Sequence, residues 1–385
     1  MDSFQNVEVD VRSLTFEMTK RLKVYLTRLV ENKGSDLHIK SNAPVRGRIA
    51  GDIVTLSKEV ILKEESLTLA KELLRSRFKE LVENKSVDFT FKLNEYYNFR
   101  ANIFFQMDGV SCVFRTIPTK IPTIQSLGLP KVIYDFCFLN RGLLLVTGPT
   151  GSGKTTTLAS IINEINHRRN KHIITIEDPI EYVFKDNKCI VNQRAIGQDA
   201  LDFSTALRAS LREDPDIILV GELRDMETIE TALHAAETGH LVLSTLHTID
   251  AKETIGRLVN MFPGNEQNRV KLSLASVLQG VISQRLVKNV KGGRTAAIEI
   301  LVKNARIESL ILENRENEIP DAIRDGKDTY KTQTFDQALL DLYKAGIISK
   351  KEAFLNATNR NDLKLKMDIL EDNADSDEFK ISIKR

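Results

Sequence analysis

One short segment constrains this chain more than any other: an apolar run at 143–147 that leads into a glycine-rich loop. The loop reads Gly-x-x-x-x-Gly-Lys-Thr, and a helix is predicted after it, over Thr156–Ile165. Glycines let such a loop curl until backbone N–H groups cradle a polyphosphate, and the lysine reaches the β- and γ-phosphates. The order strand, loop, helix favours a nucleoside triphosphate site over a glycine-rich turn without a ligand. The predicted binding residues are Gly148, Pro149, Thr150, Gly151, Ser152, Gly153, Lys154, Thr155 and Thr156.

Length and composition limit the class of protein. The chain has 385 residues, enough for two or three domains, and 42% of them are hydrophobic. Lys and Arg (55) balance Asp and Glu (53), so no overall field attracts nucleic acid or anionic lipid. Three scattered cysteines argue against a disulfide framework or a zinc site. We expect a cytoplasmic protein, because no secretion signal is recognisable and no apolar run approaches the roughly 18 residues that span a bilayer.

The first 118 residues predict an α+β domain. A broad apolar stripe indicates a helix over residues 1–33, and a second helix is expected over 64–82. Asp108-Gly109, flanked by alternating apolar residues, is typical of a β-hairpin turn. Prolines punctuate 119–134, which we interpret as a short linker. The predicted strands are Asp36–Lys40, Val45–Ile49, Ser86–Lys92, Tyr97–Gln106 and Val110–Ile117.

Residues 135–302 follow a different pattern, in which short apolar runs alternate with helical segments such as Met226–Thr238. Runs that are apolar along their whole length are typical of strands buried on both faces of a parallel sheet. We therefore predict an α/β core here, a mostly helical region at 303–370 and an acidic, disordered tail at 371–385. The predicted strands of the core are Leu143–Thr147, Ile173–Ile176, Ile217–Val220 and Leu241–Thr245.

Two carboxylates that follow predicted buried strands are candidates for catalysis. Glu222, just after Gly221, is expected to orient or deprotonate an attacking water molecule. The alternative is a carboxylate that only favours the start of the next helix. Glu177 is expected to hold Mg²⁺, partly through water, and the hydroxyl of Thr155 is expected to ligate the same ion. A simple turn at Asp178-Pro179 is the alternative for that segment.

Histidines flank the strand that ends near residue 245. His240 precedes this strand and His247 follows it. An imidazole at the carboxyl end of the strand is able to sense a γ-phosphate by hydrogen bonding, so His247 is the favoured contact. A structural hydrogen bond is the alternative for each histidine.

Arginines are expected near the nucleotide because a transferring phosphoryl group carries negative charge. Arg100 and Arg115 lie on the predicted hairpin and are expected to point from one face of it. Arg208, Arg212 and Arg224 lie near the second carboxylate segment. Solvated surface charge is the alternative for each of them.

These motifs together resemble the type IV pilus retraction ATPases (PilT/PilU-type) of the secretion ATPase superfamily. The resemblance runs from about residue 20 to 368 and implies an N-terminal PAS-like domain, a RecA-like ATPase domain and homohexameric rings. It implies that Glu177 lies in an Asp box, Glu222 is the catalytic glutamate, and both histidines belong to a His box. It also implies that Arg100 and Arg115 contact the phosphates. The matching stretches are Gly34–His38, Phe114–Pro118, the P-loop, Thr175–Glu181, Leu211–Asp225, Glu237–Thr248 and Thr334–Leu339.

The resemblance implies an ATP- and Mg²⁺-dependent motor that disassembles pili through an inner-membrane platform protein. Such a motor would lie at the cytoplasmic side of that membrane. The family signature Ala-Ile-Arg-Ala-Gly-Glu reads here Ala-Ile-Arg-Asp-Gly-Lys over 322–327. The segment 361–367 resembles the accessory motor, which works with a paralogue, whereas 211–216 resembles the principal one.

Other classes remain as alternatives. A pilus-assembly or type II secretion ATPase typically carries a four-cysteine zinc insertion, whereas this chain has three cysteines in all. A nucleic-acid motor would need a basic, aromatic-rich groove, and the chain is nearly neutral and lacks tryptophan. A regulator that hydrolyses slowly is the third alternative, because a shared fold does not guarantee a shared activity. A GTPase is disfavoured because no Asn-Lys-x-Asp segment is present.

Overall fold

A computed structural model describes residues 14–94, 96–117 and 120–370. The chain divides into two compact units. Among the described residues, the first unit comprises those up to Lys120 together with Glu177–Phe184 and Gln193–Asp202, and the second comprises the others. The predicted tail at 371–385 and residues 1–13 of the predicted first helix lie outside the described residues. The domain boundaries predicted from the sequence stay predictions.

The first unit is an antiparallel sheet covered by helices. Its six strands lie in the order β3-β2-β1-β6-β5-β4. One core contains apolar side chains from helices and strands alike, among them the fully buried Phe78, Phe99 and Phe114. The strands are β1 (Asp36–Lys40), β2 (Ala43–Ile49), β3 (Asp52–Ile61), β4 (Ser86–Lys92), β5 (Asn98–Gln106) and β6 (Gly109–Ile117). The helices are α1 (Glu17–Glu31), α2 (Lys63–Leu74) and α3 (Phe78–Asn84), with a 3₁₀ turn at Arg75–Arg77.

Two predicted helices of this unit differ from the structure. The first begins only at Glu17, because Phe16 takes a left-handed conformation (φ 57°) that cannot continue a helix. The predicted helix over 64–82 is two helices, because Arg75 has φ 52° and ψ −120° and interrupts the first of them. The predicted strands and the hairpin at Asp108-Gly109 are confirmed to within two residues.

The second unit contains a seven-stranded sheet in the order β13-β12-β7-β11-β10-β8-β9. Strands β12, β7, β11, β10 and β8 run parallel, and β13 is antiparallel to β12. Every residue of β7, β10 and β11 is buried, as the continuous apolar runs predict. The strands are β7 (Gly142–Thr147), β8 (His172–Glu177), β9 (Ile190–Ala195), β10 (Ile217–Val220), β11 (Leu241–Leu246), β12 (Leu278–Lys288) and β13 (Arg294–Val302).

Helices connect these strands and form the carboxyl-terminal part of the chain, so the predicted helical region after residue 303 is confirmed. In the described ranges, every helix is too short or too polar to cross a bilayer. The helices are α4 (Val132–Phe136), α5 (Lys154–Arg168), α6 (Phe203–Ser210), α7 (Met226–Glu237), α8 (Ala251–Asn260), α9 (Gln267–Val277), α10 (Ala305–Leu312), α11 (Ile319–Asp325), α12 (Lys327–Tyr330), α13 (Phe335–Lys344) and α14 (Lys350–Asn356). Residues 360–370 are also helical.

Candidate active site

The glycine-rich loop connects the buried strand β7 to helix α5. The strand ends at Thr147, as predicted, and the helix begins at Lys154, two residues before its predicted start at Thr156. Gly148 and Gly153 have φ values of 143° and 92°, which residues with side chains rarely adopt. These two glycines let the backbone fold back over the start of the helix.

The ammonium group of Lys154 lies inside this loop. Its Nζ donates to the carbonyl of Gly148 at 2.8 Å and lies 3.3 Å from the carbonyl of Pro149. Among the described residues, no partner reaches the buried hydroxyl of Ser152. A buried ammonium at the loop carbonyls and a buried hydroxyl that faces the loop fit an anionic ligand, because charge-assisted hydrogen bonds to phosphate are stronger than those to carbonyls. The geometry of the loop therefore suits a phosphate group.

Glu222 lies just beyond the carboxyl end of β10. Its Oε2 accepts from Nε of Arg224 at 2.8 Å, and its Oε1 lies 3.3 Å from Nε2 of His247. The glutamate side chain is only 17% exposed, which holds both oxygens in defined directions. Both carboxylate oxygens are therefore oriented by cationic or N–H groups.

His247 connects this glutamate to the P-loop. It follows β11, which lies between β7 and β10, and the carboxyl ends of these parallel strands share one edge of the sheet. Its Nδ1 lies 3.4 Å from Nζ of Lys154 and 3.5 Å from Oγ1 of Thr150. Since an ammonium can only donate, Nδ1 is an acceptor, and the ring proton is on Nε2, facing Glu222. Lys154, His247 and Glu222 thus form one continuous chain of contacts.

His240 lies at the other end of β11. Its Nδ1 is 2.9 Å from the carbonyl of Ala235, at the end of the preceding helix. A six-residue strand separates it from His247, a distance of about 20 Å. The structure therefore does not bring His240 to the P-loop of the same chain.

Glu177 is the last residue of β8 and belongs to the first unit. It is 7% exposed, and its Oε1 accepts from Nε2 of Gln193 at 3.0 Å. The same amide donates to the carbonyl of Tyr182 at 2.9 Å. This network fixes the carboxylate at the end of the strand. Across the described residues, no cluster of three or more His, Cys, Asp or Glu side chains forms a ready-made metal site.

Arg100 and Arg115 lie opposite each other on β5 and β6, so their side chains leave the same face of the hairpin. Nε of Arg115 donates to Oδ1 of Asp36 at 2.8 Å. Burial acts to raise the pKa of Asp36, but hydrogen bonds from Arg115 and Ser35 outweigh it and hold that pKa below its usual value. Arg100 is bound more loosely, 4.0 Å from Asp88 and 3.9 Å from Glu181.

The three arginines of the second unit make local contacts. Arg208 pairs with Glu227, and Arg224 holds Glu222. Nη1 of Arg212 lies 3.4 Å from the carbonyl of Arg208. Of these three, Arg224 is the one in contact with the carboxylate network.

Sequence reasoning missed the residues that support the loop from strand β12. Gln284 is 2% exposed and its side chain contacts Ser152 and Thr157. A cavity of about 460 Å³ adjoins the same end of the loop, lined by Gly153, Thr156, Gln284, Leu286 and Arg294 among others. The Gly292-Gly293 pair, with φ values of 90° and 75°, was the available signal for the β12–β13 hairpin.

Comparisons with known proteins show which family the chain belongs to. Residues 16–299 match the family model described as "Type II/IV secretion system protein". The chain is 45% identical to the type IV pilus retraction ATPase PilT of Pseudomonas aeruginosa over 323 residues, which is 83% of this chain and 93% of the relative. It is 36% identical to the type IV pilus ATPase PilU of the same organism over 342 residues, covering 88% and 89% of the two chains.

Solved structures give the same result. A crystal structure of the pilus retraction motor PilT with bound ADP has a TM-score of 0.81 and 44% identity, covering 89% of this chain and 98% of that one. The ATPase DotB of Legionella pneumophila has a TM-score of 0.80 and 30% identity, covering 87% and 94%. The predicted α/β fold, with a RecA-like ATPase core, a sheet domain before it and helices after it, is confirmed. The chain therefore belongs to the type IV pilus retraction ATPases of the secretion ATPase superfamily.

Proposed function

We propose that this chain hydrolyses ATP and uses the energy to retract a type IV pilus. The observation that carries the proposal is the chain of contacts from Lys154 through His247 to Glu222. It joins a phosphate-binding loop to a carboxylate able to act on water, at one edge of a parallel sheet. Retraction is supported by relatives named as pilus retraction ATPases, which this chain matches over most of their length.

In this proposal the P-loop binds the phosphates of the nucleotide. Backbone N–H groups, the hydroxyl of Ser152 and the ammonium of Lys154 face them, and the start of α5 adds its partial positive charge. Thr155 and Glu177 would hold Mg²⁺, the glutamate partly through water. Mg²⁺, when bound, neutralises charge on the β- and γ-phosphates. The adjoining cavity, with its apolar Leu286 and cationic Arg294, would receive the base and ribose.

Glu222 is the proposed general base. One of its oxygens takes a proton from the attacking water, while Arg224 and the Nε2–H of His247 keep the carboxylate oriented. His247 also reaches Lys154 and Thr150, so it would report the state of the phosphate site to the base. His240 lies at the other edge of the sheet, so we propose a structural role for it within its own chain.

Arg100 and Arg115 are proposed to supply positive charge to the phosphates. Arg115 would exchange the carboxylate of Asp36 for a phosphate, whereas Arg100 has less to give up, because its contacts with carboxylates are 3.9 Å or longer. Arg100 is therefore the stronger candidate of the two.

The proposed assembly is a homohexamer that acts on pilins through an inner-membrane platform protein, at the cytoplasmic face of that membrane. An accessory role beside a paralogous motor is a second candidate. It is favoured by Lys327, which replaces an acidic residue of the family signature and whose Nζ lies 2.7 Å from Oδ2 of Asp341.

The Glu222→Gln variant tests the general base. It keeps the size of the side chain, so nucleotide binding is expected to persist while ATP turnover falls by about 100-fold or more. Glu230→Gln, the same change at an exposed position of α7, is the matched control for Glu222→Gln. Lys154→Ala is expected to lose nucleotide affinity. Turnover of Glu222→Gln near the wild-type rate would contradict the assigned role.

A deletion strain tests retraction. Cells without the gene are expected to keep surface pili but to lose twitching, and the wild-type gene, not the Glu222→Gln allele, is expected to restore movement. Partial twitching would favour the accessory role. Loss of surface pili would instead favour a pilus-assembly ATPase and overturn the proposal.

A further inference from the structure

Strand β12 lies beside β7, the strand that leads into the P-loop. The register pairs Ser283 with Thr147, the last residue of β7. Oγ1 of Thr147 donates to Oγ of Ser283 at 3.0 Å, and both residues are fully buried. The chain entering the loop is therefore bound to β12 by a side-chain hydrogen bond as well as by the sheet.

The next residue of β12 reaches the other end of the loop. Nε2 of Gln284 donates to the carbonyl of Ser152 at 2.6 Å, and Oε1 accepts from the hydroxyl of Thr157 at 2.7 Å. A carbonyl can only accept, so this contact fixes which end of the amide faces Ser152. Thr157 lies in the first turn of α5, where its N–H donates to the carbonyl of Gly153 at 3.0 Å. One buried amide thus joins the loop to the helix that carries Lys154.

Two glycines of the loop are required by the closeness of this strand. A Cβ at Gly148 would lie 2.4 Å from the backbone oxygen of Gln284, and a Cβ at Gly153 would lie 2.8 Å from its Nε2. Real Cβ atoms do not come this close, so a side chain at Gly148 would require a backbone shift, and one at Gly153 would require the amide of Gln284 to move. Gly148 therefore lies against the main chain of Gln284, and Gly153 lies against its side chain.

We propose that Gln284, supported by Ser283, is a positioning residue that holds the P-loop in its nucleotide-binding shape. It turns the carbonyl of Ser152 toward β12 and so fixes the backbone of the loop at that residue. It also fixes the first turn of α5. The inference rests on the proposed nucleotide site and adds a support that comes from outside the loop.

The test removes the two hydrogen bonds without emptying the space. Gln284→Met is expected to raise the Kd for fluorescently labelled ADP about tenfold, because it leaves the carbonyl of Ser152 and the hydroxyl of Thr157 buried without partners. Thr157→Val is expected to raise it less, and Thr157→Ser, which keeps the hydroxyl, is expected to bind as wild type. Gln279→Met is the matched control: it makes the same change on the same strand, where the amide of Gln279 reaches the carbonyl of Val277 at 3.4 Å and is not bound to the P-loop.

A separate readout distinguishes positioning from general instability. The KM for ATP is expected to rise in Gln284→Met while kcat at saturation changes less than threefold, since Glu222 is untouched. If Gln284→Met fails to fold, the difference between Thr157→Val and Thr157→Ser decides the question. A Kd within twofold of wild type in both Gln284→Met and Thr157→Val would overturn the inference, provided that Lys154→Ala abolishes binding. Normal binding by Lys154→Ala would instead refute the proposed nucleotide site.

Discussion

Glu299 is a buried carboxyl group in the sheet of the second unit, outside the candidate site. It is 6% exposed, and its Oε1 accepts from the N–H of Ala251, at the start of α8, at 2.9 Å. Burial raises the pKa of Glu299 to about 7; the N–H of Ala251 and the charge of Arg285 oppose that rise, and the charges of Asp250 and Asp336 add to it. The group therefore titrates near neutrality and makes stability depend on pH.

The sign of this dependence follows from the two pKa values. Between the ordinary value of 4.5 and about 7, the folded chain binds more protons than the unfolded chain, so stability falls as pH rises through this window.

Glu299→Gln keeps an acceptor for Ala251 and removes the buried charge. We expect it to stabilise the chain at pH 8 by on the order of 1–3 kcal/mol and by much less at pH 5. Thermal unfolding at both pH values measures this, with the exposed Glu31→Gln as control; an equal gain at both would contradict the titration.

Some residues of the candidate site are predictable from the sequence and others are not. Lys154 and Glu222 are predictable because a motif or a strand end fixes their surroundings. The support from Gln284 was not predictable, because it depends on which strand lies beside β7, and that strand is more than 130 residues away along the chain. His240 and His247 lie before and after one predicted strand, and the structure separates them by the length of β11.

At the scale of elements, the start of helix α13 gives a structural reason for the motif Thr334–Leu339. Thr334 is the N-cap of α13, where its hydroxyl accepts from the N–H of Gln337 at 3.3 Å, and Gln337 returns a bond to the N–H of Thr334 at 2.9 Å. Asp336 accepts from the N–H groups of Thr358 and Asn359 at 2.7 and 2.8 Å. The motif Thr334–Leu339 is therefore a capping box that also anchors a later turn.

Removing this cap tests its contribution. Thr334→Ala is expected to destabilise the chain by about 1 kcal/mol, whereas Thr334→Ser keeps the hydroxyl and is expected to lose little. Amide hydrogen exchange across 335–344 is the direct measurement, because fraying of α13 raises exchange there before the whole chain unfolds. Equal exchange in Thr334→Ala and Thr334→Ser would show that the cap contributes nothing.

Elements differ in how far the sequence predicts them. Strands β7, β10 and β11 are buried on both faces, so each is a continuous apolar run and was predicted nearly to the residue. The break at Arg75 is not predicted, because residues 64–82 keep an apolar pattern suited to one continuous helix, whereas Arg75 takes a backbone conformation with φ 52°. Strand β12 also lies inside the sheet, but the sequence does not predict it. Polar residues such as Gln284 interrupt its apolar run, so the run does not have the pattern of a buried strand.

At the scale of the whole molecule, the candidate residues are divided between the two units. Lys154, Glu222 and His247 belong to the second unit, and Glu177, Arg100 and Arg115 to the first. A motor that needs the residues of both units requires the two units to act together. The two units belong either to one chain or to neighbouring subunits of a ring. Activity is therefore expected to respond to assembly as well as to each site.

Mixed assemblies test this dependence. If subunits of a homohexamer act in concert, co-expressing wild-type chains with an equal amount of Glu222→Gln chains leaves far less than half of the ATPase activity, because most rings then contain several inactive sites. Differently tagged copies allow mixed rings to be purified and their ratio measured, and rings assembled from wild type alone give the reference rate. An activity that falls in simple proportion to the inactive chains would mean that each site works alone. Such a result would leave the nucleotide site proposed for each chain intact.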